Sequence, residues 1–128
     1  MKLLLDTHAF LWWMFGDRML SSSARRAISD DQNEVFVSAA SVWEITTKHR
    51  IGKLNHATAV ATDVASAVAA QGFGTLGITL KHAQEAGSLP GVHRDPFARM
   101  LVAQSVLERM RLVSNDSRLD AFPIKRLW

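Results

Sequence analysis

Short apolar runs alternate with longer segments of helical periodicity along the chain. The runs are rich in leucine and valine, which is typical of strands buried on both faces of a parallel sheet. The first run stops at Asp6 and the last stops at Asn115–Asp116. Four strands are predicted, the third being the weakest because Gly77 dilutes it: residues 3–5, 35–37, 75–79 and 111–114.

The segments between the runs carry residues that start and end helices. Ser38 and Asp95 are suited to N-caps, and Pro96 fits a first helical position because it has no N–H. Valines recur every fourth residue from Val60 to Val68, which predicts one continuous helix there. The predicted helices are residues 7–15, 21–30, 38–53, 57–71, 81–86, 96–110 and 117–122.

Helices that alternate with short strands predict an α/β fold, in which helices cover both faces of a short, mostly parallel sheet. A length of 128 residues suits one such domain, spanning 1–128. Apolar residues make up 48% of the chain and charged residues 21%, which excludes intrinsic disorder. The chain has no cysteine, which excludes disulfide scaffolds, thiolate metal sites and cysteine nucleophiles.

The net charge and the hydropathy of the chain limit where the protein is expected in the cell and which classes of partner it can bind. The formal net charge is +3, which permits binding to a polyanion without requiring it. No apolar run approaches the roughly 18 residues that a membrane span needs, and the N-terminal apolar stretch is too short for a secretory signal. We therefore expect a soluble, cytoplasmic protein without a membrane partner.

Three carboxylates fall where an α/β protein gathers its ligands. Asp6 and Asp116 follow the first and fourth predicted strands, and ligands bind beyond the carboxyl ends of strands in open parallel sheets. Glu44 lies about two turns into the helix after the second strand, among apolar neighbours where an unpaired charge is costly. Carboxylates that converge without a histidine or cysteine cluster favour a hard ion, Mg²⁺ or Mn²⁺.

Each of these carboxylates also has a purely structural interpretation. Asp6 is suited to capping the first helix, and Asp116 to an ordinary turn beside Asn115. Glu44 is four residues from Lys48, which is the spacing of a common ion pair on a helix surface. Composition and spacing alone leave the acidic site and the structural roles both open.

Four sequence blocks and the C-terminal residue resemble PIN-domain ribonucleases, in particular the VapC-type toxins of bacterial toxin–antitoxin pairs. The resemblance spans the whole chain in order and with the spacing of that family. The matching segments are LLDTHAFLWW at 4–13, VSAASVWEI at 37–45 with its continuation through Lys53, HRDPF at 93–97 with 99–104, VSND at 113–116, and Trp128.

The resemblance implies a Rossmann-like α/β/α sandwich whose acidic pocket binds Mg²⁺ or Mn²⁺ and hydrolyses RNA. Residue by residue, Asp6, Glu44 and Asp116 match the metal-binding and catalytic carboxylates of the family. Thr7 and Asn115 are the candidates for polar groups that support them. The resemblance also implies an RNA substrate, a neutralising antitoxin of the VapB type, and a homodimer.

The third block departs from the family pattern at one position. That block normally reads Asp-Pro-Phe-Asp-Arg, and its second aspartate is a metal-site carboxylate, whereas this chain has Ala98 there. Asp95 remains, but a residue before proline fits a helix N-cap better than a ligand. We therefore expect weak metal binding and little activity. The otherwise intact motif favours an inactivating substitution over natural loss, although the sequence does not separate the two.

Basic side chains near the second and third blocks are the candidate contacts for RNA phosphates. They are Arg99, Lys48 and Arg50, with His49, Lys53 and Arg94 as further candidates. For those at the helix end, the alternative is that they only complement the helix dipole. The aromatic stretch Trp12–Phe15 is too dense to face one core, so part of it is expected at an antitoxin or dimer interface.

Two other functions compete with a ribonuclease toxin. A receiver-type signalling module also gathers aspartates around Mg²⁺, but it needs an aspartate closing the third strand and a lysine closing a later one. Thr79–Leu80 and Ser114–Asn115 supply neither. A non-catalytic module of the same fold, which keeps antitoxin or RNA binding without hydrolysis, stays open because of Ala98.

Overall fold

The computed structural model describes residues 1–128, and its centre is a sheet of four short strands. All strand pairs are parallel, and the strands lie in the spatial order β3–β2–β1–β4. The predicted parallel sheet is therefore confirmed. The strands are β1 (Lys2–Leu5), β2 (Glu34–Ser38), β3 (Gly74–Leu76) and β4 (Arg111–Val113).

Seven α helices cover the sheet, and two short 3₁₀ helices occur at Asn55–Ala57 and Ser117–Ala121. None of the helices is long and apolar enough to span a bilayer. The α helices are α1 (Thr7–Phe15), α2 (Ser22–Ser29), α3 (Ala39–Arg50), α4 (Thr58–Ala61), α5 (Val64–Ala70), α6 (Leu80–Ser88) and α7 (Pro96–Leu107).

Side chains of β1 alternate between two apolar cores, one on each face of the sheet. Leu3 and Leu5 belong to the core formed with α1, α2, α4 and α5, whereas Leu4 belongs to the core formed with α6 and α7. All three leucines are fully buried, which explains why this run shows no polar alternation. Helices cover both faces, and the predicted α/β/α sandwich is confirmed.

The single helix predicted over 57–71 is wrong. The chain breaks there into α4 and α5, because Asp63 starts a new helix as its N-cap. The Asp63 carboxylate accepts bonds from the Ser66 N–H at 3.1 Å and from the Ser66 hydroxyl at 2.7 Å. The valine spacing crosses the break because Val60, Val64 and Val68 all face the same core.

The third strand is shorter than predicted and ends at Leu76 instead of Thr79. Gly74 lets β3 approach β2 closely, since a Cβ at this position would lie 2.6 Å from the Phe36 ring. After Leu76, the Gly77 carbonyl accepts a bond from Gln104 of α7 at 3.1 Å, so the backbone leaves the sheet. Helices α3 and α7 end at Arg50 and Leu107, before their predicted limits at 53 and 110.

Candidate functional site

An open cleft lies at the carboxyl ends of β1 and β4, where the strand order reverses direction. The chain builds outward from β1 through β2 to β3, and then places β4 on the other side of β1. Such a switch point leaves room for a ligand beyond the strand ends. The cleft has a volume of about 560 Å³, and α1, α3, α7 and the 3₁₀ helix after β4 all contribute to its lining.

Asp6 lines this cleft at the end of β1 and also caps α1. Its Oδ1 accepts a bond from the Ala9 N–H at 2.8 Å, so the structural role expected for it is present. Burial raises the pKa of Asp6, against hydrogen bonds from Ser114 and Ala9 and the nearby charge of His8. No basic side chain forms an ion pair with Asp6. A carboxylate without an ion-pair partner therefore borders the cleft.

Glu44 reaches the same cleft from α3 and is only 5% exposed. Its Oε1 accepts a bond from the Thr7 hydroxyl at 2.5 Å, and its Oε2 pairs with Lys48. The Thr7 hydroxyl also lies 3.1 Å from that of Ser41, which holds it in place. The ion pair expected from the i,i+4 spacing therefore forms with a carboxylate that also lines the cleft.

Asp116 follows β4 and is held by two basic side chains. Arg118 donates from Nε to Oδ1 at 2.9 Å and from Nη2 to Oδ2 at 3.0 Å. His93 Nε2 lies 3.1 Å from the same Oδ2. The bonds from Arg118 are the main reason that the pKa of Asp116 is held well below its usual range; burial opposes this, and His93 adds to it. Asp116 also accepts the Arg118 N–H, which forms the expected turn.

Asp95 and Ala98 both line the cleft at the start of α7. Asp95 is the N-cap of this helix, because its Oδ1 accepts bonds from the N–H groups of Phe97 at 2.9 Å and Ala98 at 3.5 Å. Ala98 is the third helical residue and borders the same space as Asp6 and Asp116. A carboxylate at position 98 would therefore border the same cleft as Asp6, Glu44 and Asp116. Asp95, by contrast, is already engaged in capping α7.

The polar residues expected to support the carboxylates, Thr7 and Asn115, line the cleft, but the basic residues expected to hold RNA do not. Lys48 is paired with Glu44, and Arg50 is exposed at the end of α3.

Arg99 is placed differently from the expectation. Its guanidinium donates to the backbone carbonyl oxygens of Ala86 at 3.1 Å and His93 at 3.2 Å, and also to that of Leu89. These bonds tie α7 to the end of α6 and to the loop that follows it. Arg99 is thus committed to the fold and does not line the cleft beside the third block.

Sequence reasoning misses both basic partners of Asp116. His93 is buried, and its Nδ1 accepts the Asp95 N–H at 3.3 Å, so its Nε2 carries the hydrogen that is donated to Asp116. Arg118 is only two residues after Asp116, a spacing that gives no helical pairing signal. The one signal available for both was an aspartate at a strand end that required a countercharge.

The donor set of the cleft suits a hard divalent cation, although it is not a complete set of ligands. Carboxylate and amide oxygens are what Mg²⁺ prefers, and no three acidic or histidine side chains lie close enough to hold one ion together. Mg²⁺ keeps several waters and needs only one or two carboxylates. Asp6, which has no ion-pair partner, and Asp116 can meet that requirement. Lys48 and Arg118 are the positive groups with which an ion would compete.

The chain belongs to the PIN domain family, whose model matches residues 3–125. Its fold is similar to that of VapBC2 from Rickettsia felis bound to a DNA fragment from the promoter, with a TM-score of 0.72 and 13% identity over 100% of both chains. It is also similar to VapC20 of Mycobacterium tuberculosis, described as a toxin that cleaves the sarcin–ricin loop. That match has a TM-score of 0.63 and 15% identity over 97% of this chain and 98% of the other.

A third similar structure is a toxin–antitoxin complex from Klebsiella pneumoniae, with a TM-score of 0.56 and 16% identity over 94% of this chain and 92% of the other. No protein of curated function is significantly similar in sequence. At identities this low, the structural likeness establishes the fold, and the activity has to be argued from the cleft.

Proposed function

We propose that this chain is a metal-dependent endoribonuclease toxin that a VapB-type antitoxin neutralises, and that Ala98 impairs its activity. The observation that carries the proposal is the convergence of Asp6, Glu44, Asp116 and Ala98 on one cleft, although they lie far apart in sequence. Membership of the PIN domain family supports the ribonuclease assignment. The convergence itself is observed in the structure of this chain.

Each carboxylate has a role that follows from its surroundings. Asp6 and Asp116 would hold Mg²⁺ or Mn²⁺, directly or through water, at the carboxyl ends of β1 and β4. Glu44, fixed by Thr7, would accept a hydrogen bond from the attacking water and orient it. Asn115 supplies an amide beside Asp116. The cation, when bound, lowers the pKa of water and offsets charge on the phosphoryl oxygens.

The substitution at position 98 weakens this arrangement in two ways. The side chain of Ala98 supplies no charge or oxygen at the α7 end of the cleft. Asp95 does not replace it, since its Oδ1 already accepts the N–H groups of Phe97 and Ala98. One fewer carboxylate raises the dissociation constant of the cation and leaves the attacking water poorly placed.

The partners follow from the similar structures and from the proposed reaction. Two of the similar structures are toxin–antitoxin complexes, which supports an antitoxin as the partner of this chain. A third is described as cleaving the sarcin–ricin loop, which supports RNA as the substrate class. We also propose a homodimer. Within the stretch Trp12–Phe15, Phe15 is 43% exposed, and it is our candidate for an antitoxin or dimer contact.

The test is to restore the missing carboxylate. Ala98→Asp should cleave a single-stranded RNA in Mg²⁺ or Mn²⁺ at least about 100-fold faster than the original chain, because a firmly held metal ion stabilises the charge of the transition state by several kcal/mol. A chelator should stop the cleavage, and Asp6→Asn in the same background should abolish it. Ala98→Asn is the matched control, because it adds a side chain of similar size without the charge.

A second candidate, the non-catalytic binding module, is favoured by one observation. Glu44 pairs with Lys48 and Asp116 pairs with Arg118. The charges of these two carboxylates are therefore balanced within the chain, without a metal ion. Under this function, Ala98→Asp would gain neither metal affinity nor cleavage, while RNA or antitoxin binding would persist. That result would contradict the proposed enzyme and support the module.

A further inference from the structure

A row of aromatic rings begins beside the acidic cleft and continues away from it. The rings of His8 and Trp12, one turn apart on α1, have centres 5.6 Å apart with planes tilted by 37°. The ring of Trp128 packs against Trp12, with centres 5.8 Å apart. His8 and Trp12 line the cleft, whereas Trp128 does not.

The other large aromatic side chains nearby are used elsewhere. Trp13 donates from Nε1 to Gln71 at 2.9 Å and packs on Phe73, with ring centres 6.1 Å apart. Trp12 has no such hydrogen bond and stays partly accessible, while His8 is exposed. The fold therefore leaves one half-buried indole and one exposed imidazole facing the cleft that contains Asp6.

We propose that His8 and Trp12 form a stacking surface for an unpaired nucleobase of the RNA strand whose phosphate lies among the carboxylates. This inference rests on the proposed function, and it adds that the cleft recognises an unpaired base of the substrate. A base is joined to its phosphate only through the sugar, so a phosphate near Asp6 brings its base to the adjacent wall. Unstacked bases bind aromatic faces, and every base offers such a face.

The geometry favours a flat ligand over an apolar protein side chain. His8 is a polar ring at the exposed start of the row, and Arg118, which is 73% exposed, borders the same cleft. A cationic guanidinium in the same cleft as aromatic rings suits a phosphate joined to a base. A paired base cannot reach the surface, so the substrate is single-stranded or looped RNA.

The experiment measures RNA binding in Mg²⁺ over times too short for cleavage by the original chain, whose activity Ala98 impairs, and this separates recognition from cleavage. A labelled single-stranded RNA and the same strand with abasic sites are titrated against the original chain, Trp12→Leu and Trp12→Phe. Trp12→Leu should weaken binding of the intact strand by about 5- to 150-fold, the range expected for loss of one base stack. Trp12→Phe should retain most of the affinity. The abasic strand should bind all three proteins equally.

Trp43→Leu is the matched control, because Trp43 is 61% exposed and packs on Phe97 outside this cleft. It should bind the intact strand as the original chain does. His8→Ala provides a second variant if Trp12→Leu unfolds, since His8 is exposed and its removal leaves the core unchanged. It should weaken binding of the intact strand alone.

Four outcomes overturn the inference. Equal weakening on intact and abasic strands would mean that Trp12 acts only through the fold. Unchanged RNA affinity, together with loss of antitoxin capture by Trp12→Leu, would make the row a protein-binding surface. If the original chain binds the abasic strand as tightly as the intact strand, RNA is held by its phosphates and no base is read. Failure of the chain to bind any RNA would overturn the proposed function as well.

Discussion

Two histidines with buried side chains, His82 on α6 and His93 in the loop before α7, are held in the same way. In each, Nδ1 accepts a backbone N–H and Nε2 faces a carboxylate. Thr79 donates to His82 at 3.0 Å, and the ring lies 3.0 Å from Glu108, just as His93 bridges a backbone N–H and a carboxylate near the cleft. Gln104, fully buried, adds a polar contact to His82 at 3.3 Å.

What separates the two sites is the surroundings of the carboxylate. Glu108 is 41% exposed to solvent at the end of α7 and has no other ion pair. Asp116 borders the cleft with Asp6 and carries Arg118 as a second basic partner. This hydrogen-bond pattern therefore anchors a turn at both sites, and only the carboxylate beside His93 also faces other acids.

The largest expected difference between the two sites is in stability. His82→Ala should lower the free energy of unfolding by about 3 kcal/mol, because it leaves a cavity and deprives buried Gln104 and the Thr79 N–H of a partner. His93→Ala should cost about 1 kcal/mol, since Asp116 keeps Arg118 and the loop before α7 is open to water. Urea unfolding of both variants measures the difference.

The two histidine variants, made in the Ala98→Asp background, also distinguish an effect on stability from an effect on RNA cleavage. There, His93→Ala should lower cleavage far more than His82→Ala does, after correction for the folded fraction. His93→Gln should recover part of it, because its amide can donate to Asp116 from a similar position. Equal losses of stability and of activity in the two alanine variants would show that the two histidines do not differ.

A smaller effect distinguishes the two aspartates that flank the switch point. Burial raises the pKa of Asp6, so its ionised form at neutral pH destabilises the fold, and this cost disappears as the pH falls through the raised pKa. Arg118 lowers the pKa of Asp116, so that carboxylate stabilises the fold above pH 4 and the stabilisation is lost at lower pH. The two carboxylates act in opposite directions.

Asparagine substitutions make this testable. At pH 7, Asp6→Asn should be about 1 kcal/mol more stable than the original chain, because asparagine can still accept the Ala9 N–H without a buried charge. Asp116→Asn should be about 1 kcal/mol less stable, an amount limited by the exposure of Arg118. In urea unfolding, the Asp6→Asn difference should shrink as the pH falls through the raised pKa of Asp6, and the Asp116→Asn difference should shrink as the pH falls below about 4. Changes of the same sign would contradict the assignment of the shifts.

The sequence predicted the sheet better than it predicted the side-chain partners. Both faces of β1 are covered, so its side chains Leu3, Leu4 and Leu5 are all apolar. That composition alone was enough to predict a buried strand. The break before Asp63 was hidden, since valine spacing continues across it. The placement of Asp6 and Asp116 in one cleft followed from strand ends, but hydrogen bonding by Arg99 depends on carbonyl positions that no spacing records.

The smallest effect concerns Arg118, which is 73% exposed and contributes little to the fold. Arg118 occupies both oxygens of Asp116, so a divalent cation must displace it. Arg118→Gln should therefore bind Mn²⁺ about two- to five-fold more tightly in calorimetry, which corresponds to one exposed ion pair. Arg126→Gln is the control, because Arg126 pairs with Asp120 outside the cleft. Equal Mn²⁺ affinity in the two variants would show that Arg118 does not compete, and no binding by either would contradict the metal site itself.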